Sequence, residues 1–265
     1  MLRPRITPCL LVHRGGLVKT QRFTDPRYVG DPINAVKIFN EKEADELIVL
    51  DIDATVQGRE PDYRLIQALA AESRMPLCYG GGVRSVEQAK RISGLGIEKV
   101  AMSAAAVQDP TIVTQVADAL GRQSVVVVLD VQSKSGLLSR GHRLVTHNAT
   151  RVLDSDPVEV AQTLAAAGAG ELVINSVDRD GLMKGYDLEL AERFRQALDI
   201  PMTMLGGAGK LEDMAALFRA CGVMGAAAGS LFVFKGQYRA VLINYPTPAQ
   251  RDELIMNSGM RGVGL

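Results

Sequence analysis

The sequence predicts an α/β protein, a single (β/α)8 (TIM) barrel built from two half-barrel repeats. Three observations carry this. Eight short β-branched runs alternate with amphipathic stretches, related segments recur half a chain apart, and the 265 residues match the roughly 250 typical of one such barrel. The strands are expected at Ile6 to Val12, Leu47 to Ile52, Pro76 to Tyr79, Lys99 to Met102, Ser124 to Asp130, Glu171 to Ser176, Pro201 to Leu205 and Val223 to Ala228. Each is short, apolar and bounded by polar or glycine-containing segments. Between them, apolar residues at three- and four-residue spacing predict helices over Asp31 to Asp45, Asp62 to Ser73, Ser85 to Gly94, Pro157 to Ala167 and Leu188 to Leu198. Asp109-Pro110 and Asp156-Pro157 fit an N-cap followed by proline at the first helical position.

The repeat has a constant offset. Pro76, Gly81, Gly82, Glu87 and Ala101 lie 125 residues before Pro201, Gly206, Gly207, Glu212 and Ala226. The same shift carries Asp53 and Asp62 onto Asp178 and Asp187. One domain over 1–265 follows, with half-barrels at about 1–120 and 121–250. A doubly wound sheet does not predict two matched glycine loops.

Composition narrows the function classes. Thirty basic residues balance thirty acidic ones, which disfavours a nucleic-acid binder, because such proteins need excess positive charge to displace counterions. Apolar runs are strand-sized, far below the ~20 residues of a membrane span, and the N-terminus lacks a signal-peptide layout. A cytoplasmic protein is expected. Cys9, Cys78 and Cys221 are odd in number and sit in apolar stretches, so buried thiols are expected, with no metal and no cofactor.

In a barrel of this kind chemistry sits where the strands end. Gly80-Gly81-Gly82 and Ser103-Ala104 follow the third and fourth strands; Gly206-Gly207 and Gly229-Ser230 follow the seventh and eighth. Glycine lets backbone N–H groups approach an anion closely, so the paired loops predict sites for a phosphate-bearing small molecule. Tight turns are the competing reading. Lys19, placed in a loop after the first strand, is a candidate anion ligand or a solvated loop lysine. The carboxylates near strand ends are Asp51, Asp130, Asp178 and Asp180, the last followed by Gly181, and each is a candidate acid–base group. Acid–base ring chemistry wants a second group facing Asp130 from the end of the first strand, where Leu11 stands. Of His13, His142 and His147, only His13 is expected near the mouth. At the opposite end Arg5, Glu46, Lys99 and Glu171 stand at the very starts of the first, second, fourth and sixth strands. Turned inward they would form a balanced ring, which by spacing alone reads as a structural closure.

Arg5-Ile6-Thr7-Pro8-Cys9-Leu10, Gly30-Asp31-Pro32, Leu50-Asp51-Ile52, Gly80-Gly81-Gly82-Val83, Asp178-Arg179-Asp180-Gly181 with Gly185-Tyr186-Asp187, and Gly206-Gly207-Ala208-Gly209 together resemble the cyclase subunit of imidazole glycerol phosphate synthase. The resemblance spans nearly the whole chain. It implies a barrel that docks a glutaminase subunit on the face where strands begin and takes ammonia through its centre. It also implies that Arg5, Glu46, Lys99 and Glu171 form the ammonia entrance. The family's chemistry uses two aspartates. Asp130 matches one and Leu11 replaces the other. Ser103-Ala104 stands where Asn-Thr is usual, Thr20-Gln21-Arg22-Phe23 replaces a Gly-x-Asn-Phe loop, and His142 to Asp156 lacks a Thr-Gly stretch.

This combination, with Tyr28-Val29-Gly30-Asp31-Pro32 and Asp51-Ile52-Asp53, is similar to divergent paralogues that work beside a glutaminase and a sugar amidotransferase in surface-polysaccharide pathways. That resemblance implies ammonia supply for conversion of an N-acetyl to an acetamidino group on a sugar nucleotide. Two alternatives stay open. One is a histidine-pathway cyclase in which His13, Asp51 or Asp180 replaces the missing aspartate; the other is a noncatalytic activator of a glutaminase.

Overall fold

The computed structural model describes residues 3–134 and 141–259. Eight strands close the barrel: β1 (Arg5–His13), β2 (Leu47–Asp51), β3 (Leu77–Gly80), β4 (Lys99–Met102), β5 (Val125–Ser133), β6 (Glu171–Ser176), β7 (Met202–Leu205) and β8 (Gly225–Ala228). All neighbouring pairs run parallel. Closure comes through Val126 opposite Glu171 at β5–β6 and Arg5 opposite Gly225 at β8–β1. The expected barrel is therefore present, with two strands at their expected bounds and the other strand ends shifted by at most three residues.

Strand alternation divides the apolar residues into two layers. Ile6, Leu10 and Val12 of β1 face the helices and join the large outer core. Cys9 turns inward, where it packs with Ile48, Cys78, Ala101, Val126, Val128, Val173, Leu205 and Ala227; Leu11 and Leu50 lie against this cluster. Many of these are small. At Gly225 an added Cβ would fall 1.9 Å from Thr203 Oγ1, so the interior takes no larger residue there. All three cysteines are free and buried.

The helices begin where short polar side chains can satisfy their first amides. Asp31 accepts from Asn34 N at 2.8 Å, Asp156 from Val158 N at 2.7 Å and Ser85 from Gln88 N at 3.2 Å. At Asp109-Pro110 the expected arrangement is met: Asp109 is extended and accepts from Thr111 N and Oγ1 at 3.0 and 2.7 Å, and Pro110, already in helical backbone conformation, leads into the helix Thr111–Leu120. The helix expected over Asp31 to Asp45 stops at Glu41, and Glu43 takes a positive φ of 55°.

Repeat-related residues do the same work in both halves. Asp62 and Asp187 cap the helices after β2 and β6. Asp53 accepts from Arg14 N at 2.8 Å just past β1, and Asp178 accepts from Ser133 N at 2.6 Å at the end of β5. Gly81 and Gly206, at φ 126° and 97°, lie so close to the preceding strand that an added Cβ would sit 2.5 Å from Asp51 O and 2.6 Å from Ser176 O.

Two antiparallel extensions were not anticipated. Beyond β1 the chain folds back through Gly16–Gln21 and Thr24–Gly30; beyond β5 it folds back through His142–Thr146 and Arg151–Leu153. Both rise over the ends of the barrel strands. A C-terminal helix, Pro248–Asn257, packs on the helix Leu211–Cys221. Among the described residues no helix is long and apolar enough to cross a membrane.

Candidate functional site at the strand ends

A cavity of about 300 Å³ opens where the barrel strands end, and it gathers residues from both halves. Asp130, Lys19, Asp180 and Leu11 line it, as do all the predicted loop residues: Gly81, Gly82, Ser103, Gly181, Gly206, Gly207, Gly229 and Ser230. Cys9, Leu50, Val128 and Leu205 supply its apolar floor, directly above the barrel interior.

Asp130 stands near the end of β5. Its Oδ1 accepts a hydrogen bond from Asn175 Nδ2 of β6 at 2.9 Å. Burial pushes the carboxyl up to about 7, the Asn175 bond opposes this, and the charge of Asp180 adds to it. A carboxylate poised there exchanges protons near neutral pH. Asn175 Oδ1 is buried with no partner among the described residues.

Lys19 is not a loop residue but part of the strand Gly16–Gln21, and its side chain is buried. The ammonium donates to the carbonyl of Cys9. Burial lowers its pKa, against the attraction of Cys9 and Asp180. The reading of a solvated lysine is thereby corrected: pairing of Leu11 with Val18 folds the strand over the barrel mouth and carries Lys19 inside.

Asp180 locks this extension down. Its Oδ2 accepts from Thr20 Oγ1 at 2.7 Å and Phe23 N at 3.2 Å, and Gly181 presses against Thr20 O, where a Cβ would come within 2.0 Å. Burial nevertheless raises the Asp180 pKa. Asp51 has a similar divided role. Its Oδ1 accepts from Asp53 N at 2.9 Å and Ala54 N at 3.1 Å, shaping the loop after β2, while burial outweighs these bonds and raises its pKa. Asp178 stays outside the cavity lining and fastens the β5 extension.

The histidines divide differently from the expectation. His13 bonds Asp53 Oδ1 through Nδ1 at 2.7 Å and stands beside the cavity, whereas His147 lines it. His147, Asn148 and Ala149 have successive positive φ angles of 54°, 55° and 62°, and Asn148 Nδ2 donates to Ile52 O at 2.8 Å. This turn pulls the β5 extension over the mouth. Sequence spacing missed His147 and Asn175: the first depends on a turn of unusual backbone, and the second lies inside an apolar strand.

At the opposite end the four charges do meet. Arg5 contacts Glu46 at 2.8 Å and Glu171 at 2.6 Å, and Lys99 contacts the same two at 2.6 and 2.8 Å. The ring closes with alternating sign. Thr203 Oγ1 adds a bond to Glu171 Oε1 at 2.6 Å. Burial favours the protonated form of Glu171, but Arg5 and Lys99 outweigh it and hold its pKa below the ordinary range. No cluster of three or more histidine, cysteine or acidic side chains suited to a metal ion occurs among the described residues.

Comparison with known proteins agrees with this geometry. The sequence pattern of the family described as "Histidine biosynthesis protein" matches residues 5–239. A Leptospira interrogans protein named "Putative imidazole glycerol phosphate synthase subunit HisF" is 52% identical over 254 residues, 96% of this chain and 99% of that protein. A Geobacillus kaustophilus "Imidazole glycerol phosphate synthase subunit HisF" is 37% identical over 246 residues, 91% and 97% of the two chains. With a closed barrel, its family-specific segments and these matches in hand, the chain belongs to the HisF family of histidine-biosynthesis (β/α)8 barrels.

Proposed function

We propose that this protein is the barrel subunit of a glutamine amidotransferase complex, taking ammonia from a glutaminase docked on the face where the strands begin. The ring of Arg5, Glu46, Lys99 and Glu171 is the entrance, and the narrow apolar interior around Cys9, Cys78, Ala101 and Ala227 is the conduit. Neutral ammonia crosses such a medium far more cheaply than ammonium, whose desolvation costs many kcal/mol. The delivered nitrogen serves amidation of a sugar nucleotide, in which an acetamido group becomes an acetamidino group. A sugar amidotransferase is the third partner.

One observation carries the choice of product. Asp130 faces the cavity without a carboxylate from the end of β1, because Leu11 occupies that place and packs against the interior cluster. A leucine transfers no proton, and loss of one of two cooperating acid–base groups lowers a rate by orders of magnitude. The glycine loops at Gly81-Gly82 and Gly206-Gly207, the segments at Ser103 and Gly229-Ser230, the buried Lys19 and the Asp180-Gly181 element supply a site for a phosphate-bearing ligand.

The histidine-pathway cyclase is a second reading, favoured by one arrangement: Asp130, Asp180 and Asp51 line the same cavity, where burial pushes the Asp130 carboxyl up to about 7 and raises the other two. Expression in a bacterial histidine auxotroph lacking its own HisF subunit separates the two. No growth on minimal medium is expected; robust growth assigns the cyclase activity and removes the sugar-amidation reading.

A further inference from the structure

Outside the cavity and the ring, a largely buried polar network lies beside the ring rather than in it. The Tyr245 hydroxyl donates to Ile6 O at 2.7 Å and accepts from Asp45 N at 3.1 Å. Asp45 Oδ2 accepts from Ile6 N at 3.2 Å. Arg251 Nη1 donates to Asp45 Oδ1 at 2.8 Å and to Glu43 O at 2.6 Å. Phe39 and Phe232 hold the Tyr245 ring at centroid distances of 6.4 and 5.3 Å, and the Arg251 guanidinium covers it at 5.3 Å.

The placement is specific. Both backbone polar groups of Ile6 are fixed, and Ile6 follows Arg5. Both the amide and the carboxylate of Asp45 are fixed, and Asp45 precedes Glu46. One hydroxyl from the C-terminal segment, together with the direct Asp45–Ile6 bond, thus ties the two chain positions that carry the Arg5–Glu46 edge of the ring. The opposite side is steadied within the barrel, by Thr203 on Glu171. A merely stabilising C-terminal helix needs apolar packing; it does not need a phenol bridging the two backbones that flank a charged pair.

We propose that Tyr245, held by Arg251, is a positioning residue for the ring, so that coupling to the glutaminase depends on a hydroxyl that touches neither the ring nor the conduit. This rests on the ring being the ammonia entrance. Losing the bridge lets Arg5 and Glu46 sample longer separations, and a ring that must present one arrangement to a partner loses preorganisation.

The test compares the intact protein with Tyr245→Phe and Arg5→Ala, each assayed with its glutaminase subunit for stimulated glutamine hydrolysis. The exchange of the Arg5 Nε proton is followed by NMR in the free barrel. Tyr245→Phe keeps the aromatic packing. It is expected to lower stimulated kcat about fivefold, the equivalent of one net hydrogen bond, with KM for glutamine unchanged and Arg5 exchange faster. Arg251→Gln is the second variant, expected to act in the same direction should Tyr245→Phe fold poorly. If Arg5→Ala itself leaves stimulation intact, the entrance reading is wrong. If Arg5→Ala uncouples while Tyr245→Phe and Arg251→Gln retain full stimulation and native Arg5 exchange, the positioning role alone is overturned.

Discussion

Asn175 Nδ2 donates to Asp130 Oδ1 at 2.9 Å across the β5–β6 pair, two neighbouring strands of the second half of the chain. This bond opposes the burial that pushes the Asp130 carboxyl up to about 7. Asn175→Leu removes the donor and the ionised form loses its support. The Asp130 pKa is expected to rise by about one unit, the size of a hydrogen bond to a charged group. Carboxyl 13C shifts followed through a pH titration measure it, and an unchanged or lowered midpoint contradicts the assignment.

The same carboxyl makes a pH-dependent contribution to stability. Its folded pKa lies above its unfolded one, so the folded protein binds the proton more tightly. Stability falls as pH rises from about 4 through about 7, then levels off. Asp130→Asn removes this cost. Above pH 8 the variant is expected to be more stable than the parent by roughly 2–4 kcal/mol, with the difference vanishing near pH 4. Urea unfolding at the two pH values checks the sign.

Glu171 behaves oppositely. Its folded pKa is depressed, so the stabilisation it supplies is complete above the ordinary glutamate range and lost as pH falls through the folded value. Glu171→Gln leaves Arg5 and Lys99 with Glu46 alone. Because both cations are partly exposed, at 30% and 18%, the loss at pH 7 is expected to be about 2–3 kcal/mol, below the full penalty of an orphaned buried charge. The difference from the parent should shrink as the solution is acidified.

Gly81→Ala and Gly206→Ala are expected to cost nearly the same, at least about 2 kcal/mol each. Both residues have positive φ, and both would place a Cβ about 2.5 Å from the equivalent carbonyl, Asp51 O or Ser176 O. Thermal unfolding of the two variants tests the structural equivalence of the loops. Very different losses would show that the repeat does not extend to the packing there.

Leu11→Asp tests whether one position limits the chemistry. The new carboxylate enters an apolar cluster, so a loss of about 1–3 kcal/mol in stability is expected. Growth of a histidine auxotroph on this variant, where the parent gives none, would show that the rest of the cavity still suits ring closure. Continued failure in a folded variant would show that the changes at Ser103 and in the two strand extensions matter as well.

The barrel, its repeat and the charges at the strand starts were legible in the sequence because each is a local signal. Alternation of apolar residues fixes which face a strand buries, and a residue at the first position of an inward-facing row must reach the ring at that end. The 125-residue offset likewise placed Gly81 and Gly206 in matched loops before any contact was known. Leu11, the departure on which the functional reading turns, is visible only against the family that the motifs resemble.

Tertiary structure alone decided the rest. Lys19 reads equally as an anion ligand or a solvated loop lysine in the sequence, and strand pairing, which folds it over Cys9, excludes the second. Asp51, Asp178 and Asp180 are equivalent candidates by sequence; the structure places Asp51 and Asp180 in the cavity lining while each also fastens a loop, and leaves Asp178 outside it. Asn175, His147 and Tyr245 carried no periodic signal. Their roles come from closing the barrel, which brings residues far apart in the chain into one poorly hydrated space. The pKa of a carboxylate or an amine there depends on how many waters that closure removes and which donors replace them, and neither quantity is written in the order of the residues.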